Sequence, residues 1–329
     1  MSPIGMEYLD LDGLAEGTRH DLFLRVADLP DGGALQIPVV VLAGSGVGPR
    51  LAAVAGIHGD EPEGMLALID AAAKIAPERL RGRLIILPVA NLPAFGAGRR
   101  ESPLDGLDLN RTFPGRPDGR PSERLAHALF ERIVRVVDFA FSLHSWYQTG
   151  TVLPYVEVPR SGEVKAACLA AARASGFDRV RELDWPAGLL VRVACETGIP
   201  AIEAEIDGQG TVTTAGRACY RRHLEALLRH LGMLNGPPQS PAASTLGEAR
   251  HLLAPTGGGL RLAVGLGDRV GAGDPIGTIT DVFGTARAEV NAPCAGMVLA
   301  HRTFASVSPG DNVCTLFSSL GSRPGRATP

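Results

Sequence analysis

The stretch LAAVAGIHGDEPEG, residues 51–64, decides the fold of this chain. It joins a short apolar run, residues 51–55, to a glycine-flanked loop, which leads into a segment with helical spacing of apolar side chains, residues 61–76. A second apolar run, residues 83–90, follows that helix. The order strand, helix, strand predicts a β-α-β unit, whose two strands run parallel in one sheet.

The pattern continues on both sides of this unit. Residues 122–137 and 214–231 have the spacing of amphipathic helices. Further apolar runs predict strands at 34–43, 139–143, 152–158 and 199–206. Such alternation predicts an α/β fold with a mixed, mostly parallel sheet and helices on both faces. We expect this domain to span residues 1–234.

The composition changes after residue 234. Residues 235–248 are rich in proline, serine and glycine, which is typical of a linker. Short strand-like pieces separated by glycine turns then predict a small all-β module at 249–318. Residues 319–329 are expected to form a loose tail. The sequence therefore predicts two domains.

Composition and charge narrow the classes of function. Hydrophobic residues make up 45% of the chain and charged residues 20%, which excludes disorder. The net charge is -3 and no run of lysine or arginine occurs, so we expect a small-molecule partner rather than nucleic acid or a membrane. Five cysteines without CxxC spacing favour reduced thiols. Because the first residues carry acids and no later stretch has membrane-spanning length, the predicted location is the cytoplasm.

The loop after the first strand carries a candidate metal site. His58 and Glu61 lie three residues apart, so an imidazole nitrogen and a carboxylate can converge on one cation. His144 ends the apolar run FAFSLH, where a parallel strand would emerge at the same edge of the sheet. Standing alone, His144 would be interpreted as a capped or core histidine. Together the three residues form a zinc site that keeps a fourth position for water, as catalytic zinc sites do.

These three residues, with the series DLNRTFPG at 108–115, resemble the succinylglutamate desuccinylase and aspartoacylase family, which has the zinc carboxypeptidase fold. The resemblance covers residues 40–235. It implies a hydrolase that removes an acyl group, acetyl or succinyl, from the nitrogen of a small, negatively charged amino-acid derivative. It also implies one zinc ion per chain. The amine stays open among aspartate, glutamate and a diamino acid such as diaminobutyrate.

The resemblance further assigns roles to three polar residues of the segment 91–115. Arg100 would polarise the scissile carbonyl, and Asn110 and Arg111 would hold the substrate carboxylate. A guanidinium suits the second task because it binds a carboxylate through two parallel hydrogen bonds. Since Arg99 precedes Arg100, the sequence leaves open which guanidinium reaches the carbonyl.

A catalytic base is expected in GIPAIEAEIDGQG, residues 198–210. Glu203, Glu205 and Asp207 share one face of the predicted strand, and the resemblance selects Glu205 as the base that activates water and passes the proton to the leaving nitrogen. Glu203 is a second-sphere acceptor, a contact for a substrate amine, or a residue at a solvated strand edge. Asp207 is interpreted as a turn residue.

The C-terminal segment resembles the two halves of a biotinyl- or lipoyl-like barrel. No lysine occurs after Lys165, so this barrel cannot carry a cofactor on a lysine arm, and a lid or an oligomer contact is expected instead. His251 and His301 lack ligand spacing and are interpreted as structural. The oligomeric state stays open, with a homo-oligomer among the possibilities.

The sequence is compatible with three functions. The first is hydrolysis of an N-acyl amino acid, the second is a zinc carboxypeptidase acting on short peptides, and the third is a non-catalytic binding module with a vestigial metal site. The third is disfavoured because all three ligands and the base are present.

Overall fold

The computed structural model of the chain describes residues 4–6, 10–236 and 244–320. Its strands are β1 (Ile4–Met6), β2 (Thr18–Asp28), β3 (Ala34–Ala43), β4 (Arg50–Ala55), β5 (Arg83–Leu87), β6 (Phe139–His144), β7 (Gly150–Pro159), β8 (Arg179–Leu183), β9 (Ala201–Gly208), β10 (Thr245–Leu253), β11 (Gly258–Leu262), β12 (Arg269–Val270), β13 (Pro275–Thr280), β14 (Ala286–Asn291), β15 (Gly296–Arg302), β16 (Ser306–Val307) and β17 (Asn312–Ser319). Its α-helices are α1 (Pro62–Lys74), α2 (Leu92–Ala97), α3 (Pro121–Arg132), α4 (Lys165–Ala174), α5 (Leu190–Glu196) and α6 (Thr214–His230).

One long sheet runs through the fold, with the strand order β1-β2-β3-β5-β4-β6-β9-β7-β8-β10-β17-β15-β12. The central strands β5, β4, β6 and β9 are parallel. On either side of them, β3 and β7 run antiparallel to their neighbours β5 and β9. The carboxyl ends of β4, β6 and β9 therefore meet at one edge, the place where ligands bind in open α/β sheets.

Helices cover both faces of these central strands. Helices α1, α4 and α6 pack on one face, in a core that contains Leu68, Leu224 and Phe141. Helices α3 and α5 pack on the other face, in a core that contains Leu129 and Ala140. Since all six residues of β6 are buried, this strand is covered on both sides, which explains its continuous apolar run.

The loop between β4 and α1 lies very close to α2. The backbone N–H of Gly59 donates to the carbonyl of Arg99 at 2.8 Å. A Cβ atom at Gly59 would lie 2.0 Å from the carbonyl carbon of Ala94, so only glycine permits this approach. As a result, the segment that leads into Arg100 is held beside the loop that carries two of the predicted metal ligands, His58 and Glu61.

Strands of the C-terminal part close a barrel with strands of the first part. β15 pairs with β7 and β17, β10 pairs with β17 and β8, and β8 pairs with β7. These five strands form a closed ring of hydrogen-bonded neighbours. A separate four-stranded sheet has the order β14-β13-β11-β16. Hydrogen-bonded strands thus join the two parts of the chain.

The predicted mixed α/β fold is confirmed. Strand β10 begins at Thr245, inside the stretch predicted as a linker, while residues 237–243 of that stretch and residues 321–329 of the predicted tail lie outside the described residues. The carboxypeptidase-like character of the sheet, the lipoyl-like character of the barrel and the division into domains stay predictions. Within the described ranges, no helix is both long enough and apolar enough to cross a membrane.

Candidate metal centre and active site

The three predicted metal ligands come together at the carboxyl ends of β4 and β6. His58 lies in the loop after β4, Glu61 is the residue that precedes the first turn of α1, and His144 is the last residue of β6. Because β4 and β6 are parallel neighbours, their ends bring these residues to the same point. Only 3%, 4% and 2% of their respective surfaces are exposed.

The donor atoms of this cluster face one another. His58 Nδ1 lies 2.7 Å from Glu61 Oε1, and His144 Nδ1 lies 2.8 Å from Glu61 Oε2. The two Nδ1 atoms are 3.3 Å apart. One donor atom from each residue lies within 4.8 Å of the others, a spacing that allows three ligands to bind one ion.

The outer ring nitrogens of both histidines are held by polar groups. His58 Nε2 lies 3.0 Å from Asp108 Oδ1. His144 Nε2 lies 2.9 Å from Ser142 Oγ and 3.3 Å from Glu203 Oε2. A carboxylate on the outer nitrogen keeps the N–H there and turns the Nδ1 lone pair inward, as in metal-binding histidines. This donor set fits a divalent metal ion such as zinc.

The charges of the cluster also favour a cation. Burial acts to raise the pKa of Glu61, but the imidazoles of His58 and His144 outweigh it and hold that pKa well below its ordinary value. Burial acts to lower the pKa of His144, but the carboxylates of Glu203 and Glu61 raise it well above its ordinary value. The buried carboxylates thus favour positive charge at the two imidazoles. A divalent ion can supply this charge in place of the protons on the imidazole rings.

Arg100, and not Arg99, reaches the cluster. Its Nη1 donates to Glu61 Oε1 at 3.2 Å and its Nε donates to Asp108 Oδ2 at 3.0 Å. Its guanidinium carbon lies 5.4 Å from the ring centroid of Tyr147, within the range of a cation–π contact. The side chain of Arg99 is exposed. Two carboxylates and an aromatic ring therefore fix one guanidinium beside the predicted ligands.

Glu205 lies on the pocket face of β9, between two strands that line the site. It is opposite His144 of β6 and opposite Tyr155 of β7. Its Oε2 atom is buried and has no hydrogen-bond partner among the described residues. Burial, reinforced by the nearby carboxylate of Glu61, raises the pKa of Glu205 well above its ordinary value. This is the position and the chemistry of a group that can take up a proton.

Glu203 lies two residues earlier on the same face and has a different environment. It is 5% exposed, its carboxylate accepts a hydrogen bond from Asn110 Nδ2 at 3.3 Å, and it contacts His144 Nε2. These contacts exclude the solvated strand edge as its location. Glu203 supports a predicted metal ligand from outside the cluster.

The series DLNRTFPG wraps around the pocket. Asp108 accepts the N–H of Asn110 at 2.8 Å and so caps the 3₁₀ turn Leu109–Arg111. The Oδ1 atom of Asn110 accepts the N–H of Leu190 at 3.0 Å, so this side chain links the series both to α5 and to β9. Arg111 is exposed at the pocket and donates to the Asn110 carbonyl at 2.7 Å.

All seven predicted site residues line one cavity of about 210 Å³, together with residues that sequence reasoning missed. Glu157 accepts hydrogen bonds from Tyr155 Oη at 3.2 Å, from Arg181 Nη1 at 2.8 Å and from Trp185 Nε1 at 2.9 Å. Tyr155 and Glu157 share one face of β7, the pairing of β7 with β8 brings Arg181 beside them, and Trp185 follows the end of β8, so no single sequence motif marks the group. His251, interpreted from sequence as structural, also lines the cavity.

Comparison with known proteins identifies the family. The sequence model of the succinylglutamate desuccinylase/aspartoacylase catalytic domain matches residues 47–231, more than half of the chain. The chain belongs to this family. An N-alpha-acetyl-L-2,4-diaminobutyric acid deacetylase of Halomonas elongata is 34% identical to it over 325 residues, which cover 93% of each protein.

Solved structures agree with this family assignment. A succinylglutamate desuccinylase/aspartoacylase from Rhodobacter sphaeroides matches with a TM-score of 0.86 at 28% identity, over 95% of this chain and 98% of that one. The product-bound ectoine utilization protein EutE (DoeB) from Ruegeria pomeroyi matches with a TM-score of 0.86 at 30% identity, over 94% and 98%. The predicted family is confirmed, and so is the predicted class of enzyme, a hydrolase of the deacylase kind.

Proposed function

We propose that this family member is a zinc-dependent deacylase that hydrolyses the amide bond of a small N-acyl amino acid. The observation that carries the proposal is the buried cluster of His58, Glu61 and His144 with the unpaired carboxylate oxygen of Glu205 nearby. The cluster offers two nitrogen donors and one carboxylate donor, the set of a catalytic zinc site with an open position. We expect one zinc ion per chain.

The metal would be held by His58 Nδ1, His144 Nδ1 and the carboxylate of Glu61, which already face one another. When bound, zinc supplies an electrophile and lowers the pKa of the attacking water toward about 7. Asp108 and Glu203 keep the two imidazoles in the orientation that turns Nδ1 inward.

Glu205 moves the proton in this proposal. Its free Oε2 atom takes the proton from the attacking water and delivers it to the amide nitrogen as that nitrogen leaves. Burial and the nearby carboxylate of Glu61 raise the pKa of Glu205, and the charge of a bound divalent ion would oppose that shift, so the side chain can both take up and release a proton. The second step restores the carboxylate, so Glu205 returns to its starting state.

Arg100 stabilises the negative charge that develops on the carbonyl oxygen. Its contacts with Glu61, Asp108 and Tyr147 hold it in place before the substrate arrives, so little reorganisation is needed during the reaction. Arg111 binds the substrate carboxylate at the open side of the pocket, and Asn110 keeps the loop that carries Arg111 attached to β9.

The Halomonas relative, more than the charges of the pocket, indicates the side chain of the substrate. The cavity is lined by four carboxylic acids and three guanidinium groups and by no lysine: Glu61, Glu157, Glu203 and Glu205, against Arg100, Arg111 and Arg181. A divalent ion bound by His58, Glu61 and His144 would add two positive charges to this balance, so the carboxylates do not by themselves exclude an acidic substrate side chain. The Halomonas relative carries the name of a deacetylase for N-alpha-acetyl-L-2,4-diaminobutyric acid, whose side chain is basic. An N-acetylated amino acid with a neutral or basic side chain is therefore the proposed substrate.

The size of the pocket argues against the alternative, a zinc carboxypeptidase. A cavity of about 210 Å³ is smaller than the sites of roughly 300–1,000 Å³ that take drug-sized ligands. A short amino-acid derivative fits this volume better than a peptide does. The cytoplasmic location and a homo-oligomeric state remain predictions.

The test is a substrate panel on zinc-loaded protein whose metal content is measured by elemental analysis. We expect about one zinc per chain, and release of acetate from N-α-acetyl-2,4-diaminobutyrate faster than release of acid from N-acetylaspartate or N-succinylglutamate. Faster cleavage of short peptides would establish the carboxypeptidase alternative. Binding without cleavage of any compound, at full zinc occupancy, would favour the non-catalytic binding module.

A further inference from the structure

His251 lies in the active-site cavity but has no task in the proposed chemistry. It belongs to β10, beyond residue 231, where the match to the catalytic domain ends. The strand reaches the cavity because it pairs in parallel with β8, with Gly247 opposite Arg181. Side chains alternate along a strand, so His251 lies on the same face as Gly247. The C-terminal part of the chain thus contributes a side chain to the pocket.

The imidazole of His251 is fixed on two sides. Its Nδ1 atom lies 2.9 Å from Thr315 Oγ1 and 3.4 Å from Asn312 Nδ2, both of β17. Its ring stacks near Trp146, with centroids 6.4 Å apart and ring planes inclined by 29°. Trp146 follows the predicted metal ligand His144 by two residues. The barrel and the segment after β6 therefore hold this ring in a defined orientation.

One polar atom of this ring is left for a ligand. Nε2 of His251 has no hydrogen-bond partner in the part of the chain that the structure describes, and the side chain is accessible from the cavity. Burial of part of the ring and the nearby guanidinium of Arg181 lower the pKa of His251. At neutral pH the ring is therefore uncharged and acts as a hydrogen-bonding group rather than as a cation.

We propose that His251 is a specificity-determining residue, whose Nε2 atom hydrogen-bonds the side chain of the bound N-acyl amino acid. The inference rests on the proposed deacylase function. His251 contacts Trp146, Thr315 and Asn312 and none of the predicted ligands or the base, so it faces the part of the substrate away from the scissile amide. With Nδ1 donating its hydrogen to Thr315 Oγ1, Nε2 carries the lone pair and accepts a hydrogen bond from an ammonium or a hydroxyl group, and it offers nothing comparable to a methyl group.

The experiment compares two substrates that differ in one group, N-α-acetyl-2,4-diaminobutyrate and N-acetyl-2-aminobutyrate, which lacks the side-chain amine. In His251→Phe the aromatic ring beside Trp146 is kept and the nitrogens are lost. For the first substrate we expect KM to rise roughly 10- to 100-fold, the factor that corresponds to one hydrogen bond from a charged amine. For the second substrate, kcat and KM should stay within a factor of about two, as expected for a group that has no partner there.

His301→Phe is the matched control, because His301 lies on β15 of the same barrel and does not line the cavity. It should leave both substrates unaffected. An equal loss for both substrates in His251→Phe, or no loss for either, would overturn the proposal.

A binding measurement separates this inference from the proposed function. Calorimetric titration with 2,4-diaminobutyrate and with 2-aminobutyrate needs no turnover, and only the first should bind more weakly to His251→Phe than to the wild type. If the zinc-loaded wild type cleaves no N-acyl amino acid, the proposed function fails, and the titration still decides the role of His251. Equal dissociation constants for 2,4-diaminobutyrate in both proteins would refute it.

Discussion

Replacement of Glu205 by glutamine is the sharpest test of the proposed chemistry. The substitution keeps the size of the side chain and removes the oxygen that takes up a proton. Because Oε2 of Glu205 has no partner among the described residues, no hydrogen bond of the fold is lost. Because Glu205 is not one of the three residues whose donor atoms converge, zinc content should also stay the same.

The expected effect is on kcat. A positioned general acid–base contributes roughly 10²- to 10⁴-fold to a rate, which corresponds to about 3–5 kcal/mol of transition-state stabilisation. Glu205→Gln should lower kcat by that factor while KM changes little. The assay is steady-state release of acetate, with the zinc content of each preparation measured in parallel.

Glu203→Gln is the matched control, since both residues lie on the same face of β9. Glu203 contacts His144 Nε2 and Asn110, so its loss should weaken zinc binding by roughly 10- to 100-fold and should cost much less in kcat at saturating zinc. If Glu203→Gln proves the more damaging at equal zinc occupancy, the assignment of the base to Glu205 is refuted.

Four further outcomes are expected. His58→Ala should reduce bound zinc from about one per chain to near zero in elemental analysis, because a ligand is lost; unchanged zinc would contradict the assignment of the cluster. Arg111→Ala should raise KM more than it lowers kcat, and Arg111→Lys should restore little, because a lysine lacks the planar fork; an unchanged KM would remove Arg111 from the substrate site. Deletion of residues 235–329 removes three strands of the barrel and exposes the edges of β7 and β8, so the thermal midpoint should fall and aggregation should increase, as calorimetry and light scattering can show. Burial lowers the pKa of His223 to about 4, so its contribution to stability is present above the unfolded value of 6.5 and is lost as pH falls from there toward 4. That loss amounts to about 3 kcal/mol at most, and urea unfolding at several pH values should show a flatter dependence in His223→Gln.

The local pattern of apolar residues was sufficient to predict the central strands of the fold. Strands β4, β5 and β6 are mostly apolar because helices cover both faces, and this makes them visible as apolar runs in the sequence. Strand β2 was missed because only Leu22 and Leu24 of its eleven residues are buried. Helix α5 was missed because its seven residues are too few to show a helical period.

The sequence by itself determined the family and predicted the three candidate metal ligands that converge. His58, Glu61 and His144 lie at the ends of predicted parallel strands, and such ends meet at one edge of a sheet whatever the remaining details are. Only the tertiary structure decided which of two adjacent arginines reaches the site. Arg99 and Arg100 are adjacent in sequence, yet the close approach at Gly59 and the carboxylates of the cluster bring Arg100 alone into the site.

Tertiary structure also decided the different roles of Glu203 and Glu205 and brought His251 to the pocket. A strand pattern tells which face a side chain is on, but its neighbours depend on the order and register of the strands, which packing of the whole core selects. Register places Glu205 opposite His144, and the turn after Asp108 brings Asn110 to Glu203. The closed barrel carries His251 into a pocket formed by residues far earlier in the chain, and no local pattern contains that information.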